Sequence, residues 1–236
     1  MRALLILSLV VAPVVAAGET IKGVVAPIGA DARPAKKTDA AGTVVWLEPI
    51  GTGTRAAAPA SKPAAVSQHN LTFVPHVAAI QVGTAVDFPN KDPIFHNVFS
   101  NFDGQVFDLQ LFAPQTARRV VFRRSGIVRV FCNIHDTMSA VIAVLPTPYF
   151  AVTDGTGRFD IQVPAGEYRL QFWHERAQPD VLAQLARRVT VGEAPVVLPD
   201  TQITLSTQPP APHKDKYGRE YAQKHEDRVF YQGARR

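Results

Sequence analysis

Short apolar runs separated by turn residues are the feature that most limits what this chain can fold into. The runs are rich in Val, Thr and Phe, and Gly, Pro and Asn stand between them. No long stretch shows the 3.6-residue apolar period of a helix, whereas residues 81–88 and 127–131 alternate apolar and polar positions. Such alternation is typical of strands with one buried and one solvated face. The pattern therefore predicts an all-β chain.

The runs come closest together between residues 66 and 146, where up to eight short strands with turn signals between them predict a β-sandwich or barrel. The predicted strands are Leu71–Val74, Ala78–Val82, Ala85–Phe88, Asn97–Ser100, Val106–Phe112, Arg118–Phe122, Gly126–Phe131 and Ser139–Leu145.

Further runs lie on both sides of this region and predict a second sandwich. Thr20–Val25 and Thr43–Leu47 precede it, and residues 149–173, Arg188–Val191 and Thr201–Ser206 follow, with a helical turn or loop at Asp180–Arg187. Residues 51–65 have the Gly, Ala and Pro content of a linker. We expect residues 18–65 and 147–206 to form one discontinuous domain into which residues 66–146 are inserted.

The N-terminus has the pattern of a secretory signal peptide. Arg2 is followed by an apolar run at residues 3–15 and by the small residues Ala16, Ala17 and Gly18. The run is too short to span a membrane, which takes about 20 apolar residues. Removal of residues 1–17 would leave an exported, periplasmic protein with no integral membrane segment.

The net charge of +5 arises mostly at the C-terminus. Residues 213–236 hold seven Lys or Arg against four Asp or Glu. The excess positive charge therefore lies mostly in a basic tail and does not indicate a nucleic-acid-binding face. We expect the tail, residues 207–236, to be flexible, and its sequence leaves open whether it docks on a partner or on the sandwich.

The single cysteine stands in a pattern of metal-binding residues. Cys132 is followed by His135 and Met138, and His96 offers a second imidazole. An unpaired thiol is unusual in an exported protein. One thiolate, two imidazoles and a thioether together favour copper, and the spacings of structural zinc sites are absent. The other interpretation is that Cys132 and Met138 simply fill the core.

Strands that end at Phe131 and resume at Ser139 would hold these ligands on a short, rigid loop. Asn97 is expected to hydrogen-bond across to that loop and fix its geometry. Four apolar side chains are expected to keep the site dry: Phe95, Phe99, Phe131 and Ile134.

The order and spacing of His96, Cys132, His135 and Met138 resemble the cupredoxin family, most closely the amicyanin and plastocyanin type. This resemblance covers residues 66–146 and implies a Greek-key sandwich with one type 1 (blue) copper ion held by those four residues. The opening strands resemble the transthyretin-like, carboxypeptidase-regulatory type of Ig-like sandwich. The chain as a whole resembles periplasmic proteins described as methylamine-utilisation-like.

These features favour a carrier of single electrons between a redox protein donor and an acceptor. An enzyme is not expected, because four ligands leave no open coordination position. A copper-binding or delivery protein would use the same ligands. A non-redox adhesion or binding sandwich would not need them.

Overall fold

The computed structural model describes residues 19–51, 62–101, 105–208 and 213–221. Their helical elements are a 3-10 turn at Lys37–Ala40 and a helix, α1, at Pro179–Leu185, and the other elements are strands. The all-β prediction is therefore confirmed. The predicted signal peptide and residues 52–61 of the predicted linker lie outside the described residues. None of the described helices has the length and apolar character needed to cross a bilayer.

Strands between residues 64 and 145 form what we call the central unit. They are β3 (Ala64–Ala65), β4 (Ser67–His69), β5 (Thr72–Val74), β6 (Val77–Gln81), β7 (Ala85–Pro89), β8 (His96–Ser100), β9 (Phe107–Phe112), β10 (Ala117–Val121), β11 (Gly126–Phe131) and β12 (Ser139–Leu145). One sheet has the order β6-β12-β11-β8-β9, a second has the order β10-β7-β3, and β4 pairs with β5. All eight predicted strands of this region are confirmed to within one residue at each end, whereas β3 and β4 were not predicted.

The core of the central unit lies between its sheets and reaches the metal-ligand candidates. Phe88, Phe122 and Val128 are completely buried in it, in one cluster with Cys132 and Met138. β12 is apolar on both faces because it contributes to two cores: Ile142 packs into this cluster, while Ala143 and Leu145 pack with residues from outside the central unit. A strand that is covered on both faces has no need of polar alternation.

The remaining strands form what we call the flanking unit. They are β1 (Glu19–Gly29), β2 (Val44–Pro49), β13 (Phe150–Val152), β14 (Arg158–Val163), β15 (Gly166–Trp173), β16 (Arg187–Val191), β17 (Val196–Val197) and β18 (Thr201–Leu205). One sheet has the order β13-β2-β15-β16; in the other, β1 pairs with β14, β17 and β18. Residues of both sheets share one buried cluster, which includes Ile21, Leu47, Tyr168 and Ile203.

Strands from before the central unit pair with strands from after it. β1 runs antiparallel to β14, with Glu19 opposite Val163, and β2 lies between β13 and β15. Ala64–Ala65, which the sequence assigned to the flanking part, pair instead with β7. The division into an inserted domain at 66–146 and a discontinuous one at 18–65 and 147–206 stays a prediction.

The two units contact each other through an apolar seam and one charged cluster. The seam contains Val44, Ala143 and Leu145, all buried. Beside it, His76 Nε2 lies 2.7 Å from Glu175 Oε2, and Arg129 Nη1 donates to Glu175 Oε1 at 3.2 Å. The hydrogen bond with Glu175 raises the pKa of His76, against the effect of burial. Burial opposes ionisation of Glu175, but His76 and Arg129 outweigh it and lower the pKa of that carboxyl.

We expect Gly157→Ala to destabilise the flanking unit strongly. Gly157 lies in the turn between β13 and β14 with a φ of +78°, and an added Cβ would lie 2.1 Å from the carbonyl oxygen of Val25. The left-handed conformation alone costs a non-glycine residue about 1–2 kcal/mol, and the overlap must add to that. Thermal or urea unfolding should therefore show a loss of at least about 2 kcal/mol.

The matched control is Gly155→Ala in the same turn, because a Cβ there meets nothing within 4 Å. Its free energy of unfolding should differ from that of the parent by no more than about 0.5 kcal/mol. Equal effects of the two substitutions would contradict the described turn.

Candidate metal centre

The loop that carries the cysteine is closed tightly by the strands on either side. β11 ends at Phe131, which pairs with Ser139 at the start of β12. Inside this closure, the N–H of Cys132 donates to the carbonyl of Met138 at 3.1 Å, and the N–H of Met138 donates to that of His135 at 3.1 Å. The expectation that two strands anchor a short ligand-bearing loop is confirmed. We call residues 132–138 the ligand loop.

His96 reaches the same place from the first position of β8. Its side chain is completely buried, and its Nε2 lies 2.9 Å from Asp92 Oδ2. A carboxylate accepts hydrogen bonds, so this contact places the imidazole proton on Nε2 and leaves the lone pair on Nδ1. Nδ1 is the atom that faces Cys132, at 3.9 Å from Sγ.

Asp92 is itself held by several donors. The backbone N–H groups of Asn70 and Leu71 donate to its two carboxylate oxygens at 2.6 and 3.0 Å. Burial opposes ionisation of Asp92, but these two hydrogen bonds and the one with His96 outweigh it and hold the pKa of the carboxyl below its usual value. Asp92 thus acts as a fixed anionic acceptor that orients the His96 ring.

The structure brings His96, Cys132 and His135 together. Cys132 Sγ lies 3.4 Å from His135 Nδ1, and the ligand atoms of all three residues lie within 4.8 Å of one another. A metal bound to sulfur at about 2.3 Å and to nitrogen at about 2.0 Å, in a trigonal plane, would hold the two donors about 3.7 Å apart. The observed S···N distances of 3.4 and 3.9 Å lie on either side of that value. The donor set therefore fits one metal ion.

Met138 lies at the far end of the ligand loop and is completely buried. It belongs to the same core cluster as Cys132. The fourth predicted ligand is thus brought to the same end of the central unit. With it, the group has the composition expected of a type 1 copper site.

Burial and nearby backbone donors act in opposite directions on the Cys132 thiol. Burial raises the pKa of the Cys132 thiol, while backbone N–H groups of Asn97, Ile134 and His135 point at the sulfur and oppose that rise. Such donors stabilise negative charge on sulfur once a metal has displaced the proton.

Asn97 contacts the ligand loop through its backbone and not through its side chain. Its N–H is one of the donors to Cys132, whereas its side-chain amide donates to Asp108 Oδ1 at 2.7 Å. Asp108 also accepts a hydrogen bond from Lys216 Nζ at 2.7 Å. Burial opposes ionisation of Asp108, but Lys216, Gln110 and Asn97 outweigh it and lower the pKa of this carboxyl.

The predicted apolar cover is only half confirmed. Phe99 and Phe131 are buried, but Phe95 and Ile134 are 44% and 43% exposed. Each exposed residue directly precedes a histidine candidate: Phe95 stands just before β8, and Ile134 lies in a bend of the ligand loop. Phe95 and Ile134 therefore lie at the rim of the site, where His135 is only half-buried.

Sequence reasoning missed three contributors to the site: Asp92, Asp108 and the C-terminal segment. Asp92 could have been suspected, because a carboxylate four residues before a candidate ligand is a common orienting partner. Asp108 and residues 213–221 offered no local signal, since they reach the site only through the folding of the chain.

The central unit brings a cysteine, two histidines and a methionine together at one end of its sheets, and this arrangement is cupredoxin-like. The chain is similar to the methylamine utilization protein MauL of Methylorubrum extorquens, with 38% identity over 71 residues, which are 30% of this chain and 62% of MauL. No family model matches the chain.

Several solved structures are partly similar. They include a purple cupredoxin from Nitrosopumilus maritimus (22% identity, 35% of this chain and 99% of that one, TM-score 0.32) and amicyanin from Paracoccus versutus (19%, 36% and 84%, TM-score 0.34). A copper-containing nitrite reductase from Thermus scotoductus is also similar (27%, 42% and 25%, TM-score 0.35).

Proposed function

We propose that this protein is a type 1 copper protein that carries single electrons between redox partners. The observation that carries the proposal is the group of buried His96, buried Cys132 and half-buried His135, whose ligand atoms lie within 4.8 Å of one another. We propose that these three residues would be the strong ligands of the ion and that the thioether of Met138 would be a weak one. Copper bound there would supply one-electron chemistry by alternating between Cu(I) and Cu(II).

The residues of the site would act by holding their positions. Asp92 fixes the His96 ring, and the backbone donors around Cys132 fix the sulfur. Electron transfer is favoured when the ligands move little between the two oxidation states, and buried, hydrogen-bonded ligands cannot move far. The three residues would also exclude hard metal ions, which prefer oxygen ligands.

A catalytic role is less well supported than electron transfer. Four ligands leave no coordination position for a substrate, whereas catalytic metals keep one open. His96 and Cys132 are completely buried, so a substrate would have to approach past half-buried His135.

Copper delivery to another protein is a second candidate. His135 lies on a loop and is only half-buried, so copper could leave the site past this residue. The complete burial of Cys132 and His96 argues against rapid release. Transfer of copper to a chelator within seconds would favour delivery, whereas retention for hours would favour an electron carrier.

We further propose that the protein works in the periplasm, because residues 1–17 have the pattern of a signal peptide. The similarity to MauL supports a role connected with methylamine utilisation. The redox partners would then be exported proteins as well.

The test is the absorption spectrum of the Cu(II)-loaded protein, followed by a reductive titration. A thiolate bound to Cu(II) should give an intense band that makes the protein blue. The band should disappear after uptake of one electron per protein and return on reoxidation. A protein that stays colourless with Cu(II), or that binds the ion only weakly, would overturn the proposal.

A further inference from the structure

Residues 213–221, which we call the strap, lie against the ligand loop. The sequence left open whether the basic tail docks, and this part of it does. Three of its residues make the contact: the rings of His213 and Tyr221 and the backbone N–H of Lys216. The strap comes from a chain position far from the ligands, so its contacts with them exist only in the folded protein.

The first tether joins the end of the strap to the metal-ligating cysteine itself. The hydroxyl of Tyr221 donates to the carbonyl oxygen of Cys132 at 2.7 Å. Tyr221 is half-buried, and its ring meets that of His213 edge-on at 5.2 Å. A hydrogen bond to this carbonyl restrains the peptide that links Cys132 to Asn133.

The second tether is aromatic. The ring of His213 stacks on that of Phe131, with the centroids 4.3 Å apart and the planes at 25°. Phe131 is the last residue of β11 and also packs against Phe99. His213 therefore continues the apolar core across the start of the ligand loop.

The third tether reaches the cysteine sulfur through a relay. The backbone N–H of Lys216 donates to Asn133 Oδ1 at 2.8 Å, and its Nζ donates to Asp108 Oδ2 at 2.7 Å. Asp108 holds the side chain of Asn97, and the backbone N–H of Asn97 points at Cys132. The Lys216 side chain is only 18% exposed, so this ion pair is better shielded than one at the surface.

The strap also has a structure of its own. Asp215 is buried, and its Oδ1 accepts hydrogen bonds from the backbone N–H groups of Tyr217 and Arg219, at 2.9 Å each. Gly218 takes a φ of +78° to close the turn. A turn that satisfies its own backbone can present Lys216 and Tyr221 at a set separation.

We propose that the strap is a positioning element that holds the ligand loop in its metal-binding geometry. This inference rests on the proposed copper function. Ordering each residue of the ligand loop costs about 1–2 kcal/mol of conformational entropy. Contacts of the strap with Phe131, Cys132 and Asn133 order the loop before metal binds, so the loop is preorganised. The positioning residues are Lys216 and Tyr221.

The test compares two substitutions with matched controls in the full-length protein. Tyr221→Phe removes the hydroxyl that contacts Cys132, and Tyr217→Phe makes the same change on a ring that is 65% exposed. Lys216→Met removes the tether to Asp108, and Lys214→Met removes a lysine whose only described ion pair, with Glu220, lies at the surface. The double variant Tyr221→Phe/Lys216→Met breaks both tethers.

Two measurements are made on each protein. The first is amide hydrogen exchange of the ligand loop without copper, and the second is the rate at which copper passes to a chelator. Tyr221→Phe should raise both rates about fivefold, as expected for the loss of one hydrogen bond, and the double variant should raise them by tenfold or more. The two controls should change neither rate by more than about twofold.

A spectroscopic signature separates positioning from general stability. Lys216→Met should shift the thiolate-to-copper band and the reduction potential, because the relay through Asp108 ends at the sulfur. If the tethered variants and their controls gave the same exchange rates, release rates and spectra, the strap proposal would fail while the copper function stood. If the parent protein bound no copper, the proposed function would fail, and loop exchange without copper would still decide whether the strap restrains the loop.

Discussion

Cys132→Ser is expected to abolish the blue colour of the copper-loaded protein. The expected band would arise from charge transfer from a thiolate sulfur to Cu(II). A serine hydroxyl has no sulfur, and its oxygen gives up an electron much less easily. Copper affinity should fall more than about 100-fold, because changes outside the ligand set alone cost 10- to 100-fold. Absorption spectra and competition with a chelator measure the two effects.

The fold should survive this substitution. Serine nearly matches cysteine in size, and the backbone N–H groups of Asn97, Ile134 and His135 that point at the sulfur can donate to a hydroxyl oxygen. His76→Gln is the matched control, since it removes a histidine at the contact between the two units. Its band should equal that of the parent protein. A blue Cys132→Ser protein would show that the cysteine is not a ligand.

Asp92→Asn should weaken copper binding about 10- to 100-fold and lower the free energy of unfolding of the copper-free protein by about 1–3 kcal/mol. The carboxylate accepts three hydrogen bonds, from His96 Nε2 and from the N–H groups of Asn70 and Leu71. The asparagine side chain has an NH2 group in place of one carboxylate oxygen, and this group cannot accept a hydrogen bond from the donors that used that oxygen. With the NH2 group at the place of Oδ2, the buried Nε2 of His96 loses its acceptor; at the place of Oδ1, the N–H of Asn70 loses its acceptor instead.

Asp87→Asn is the control for this prediction. Asp87 pairs with Arg119, whose side chain is 58% exposed, so the pair lies in contact with solvent. An exposed ion pair contributes about 0–1 kcal/mol, and this one does not touch the ligand loop. Chelator competition and urea unfolding of both variants give the comparison. If Asp92→Asn bound copper as tightly as Asp87→Asn, Asp92 would have no role in orienting His96.

The strands of the central unit could be read from the chain because their signal is local. Alternation in residues 127–131 and in the run before Phe88 reports a buried and a solvated face, and each run ends at a residue that interrupts it. Two strands of the central unit, β3 and β4, were not predicted. β3 (Ala64–Ala65) and β4 (Ser67–His69) contain none of the Val, Thr and Phe that marked the predicted strands.

The candidate ligands were also accessible to sequence reasoning, whereas the residues that orient them were not. Cys132, His135 and Met138 share one loop, so their spacing alone predicted that they would lie together. Their cover did not follow from that spacing: Phe95 and Ile134 are apolar, but both are exposed at the rim of the site.

The local pattern of this chain specified its β-class, the strands of the central unit and the residue types able to bind copper, because alternation and ligand spacing act over a few residues. Folding in three dimensions decided which distant groups support those residues. Asp108, Lys216 and Tyr221 reach the ligand loop from other strands or from the tail, and the pairing of β1 with β14 joins positions far apart in the chain. Contacts of that kind depend on how whole sheets pack, so no short stretch of sequence encodes them.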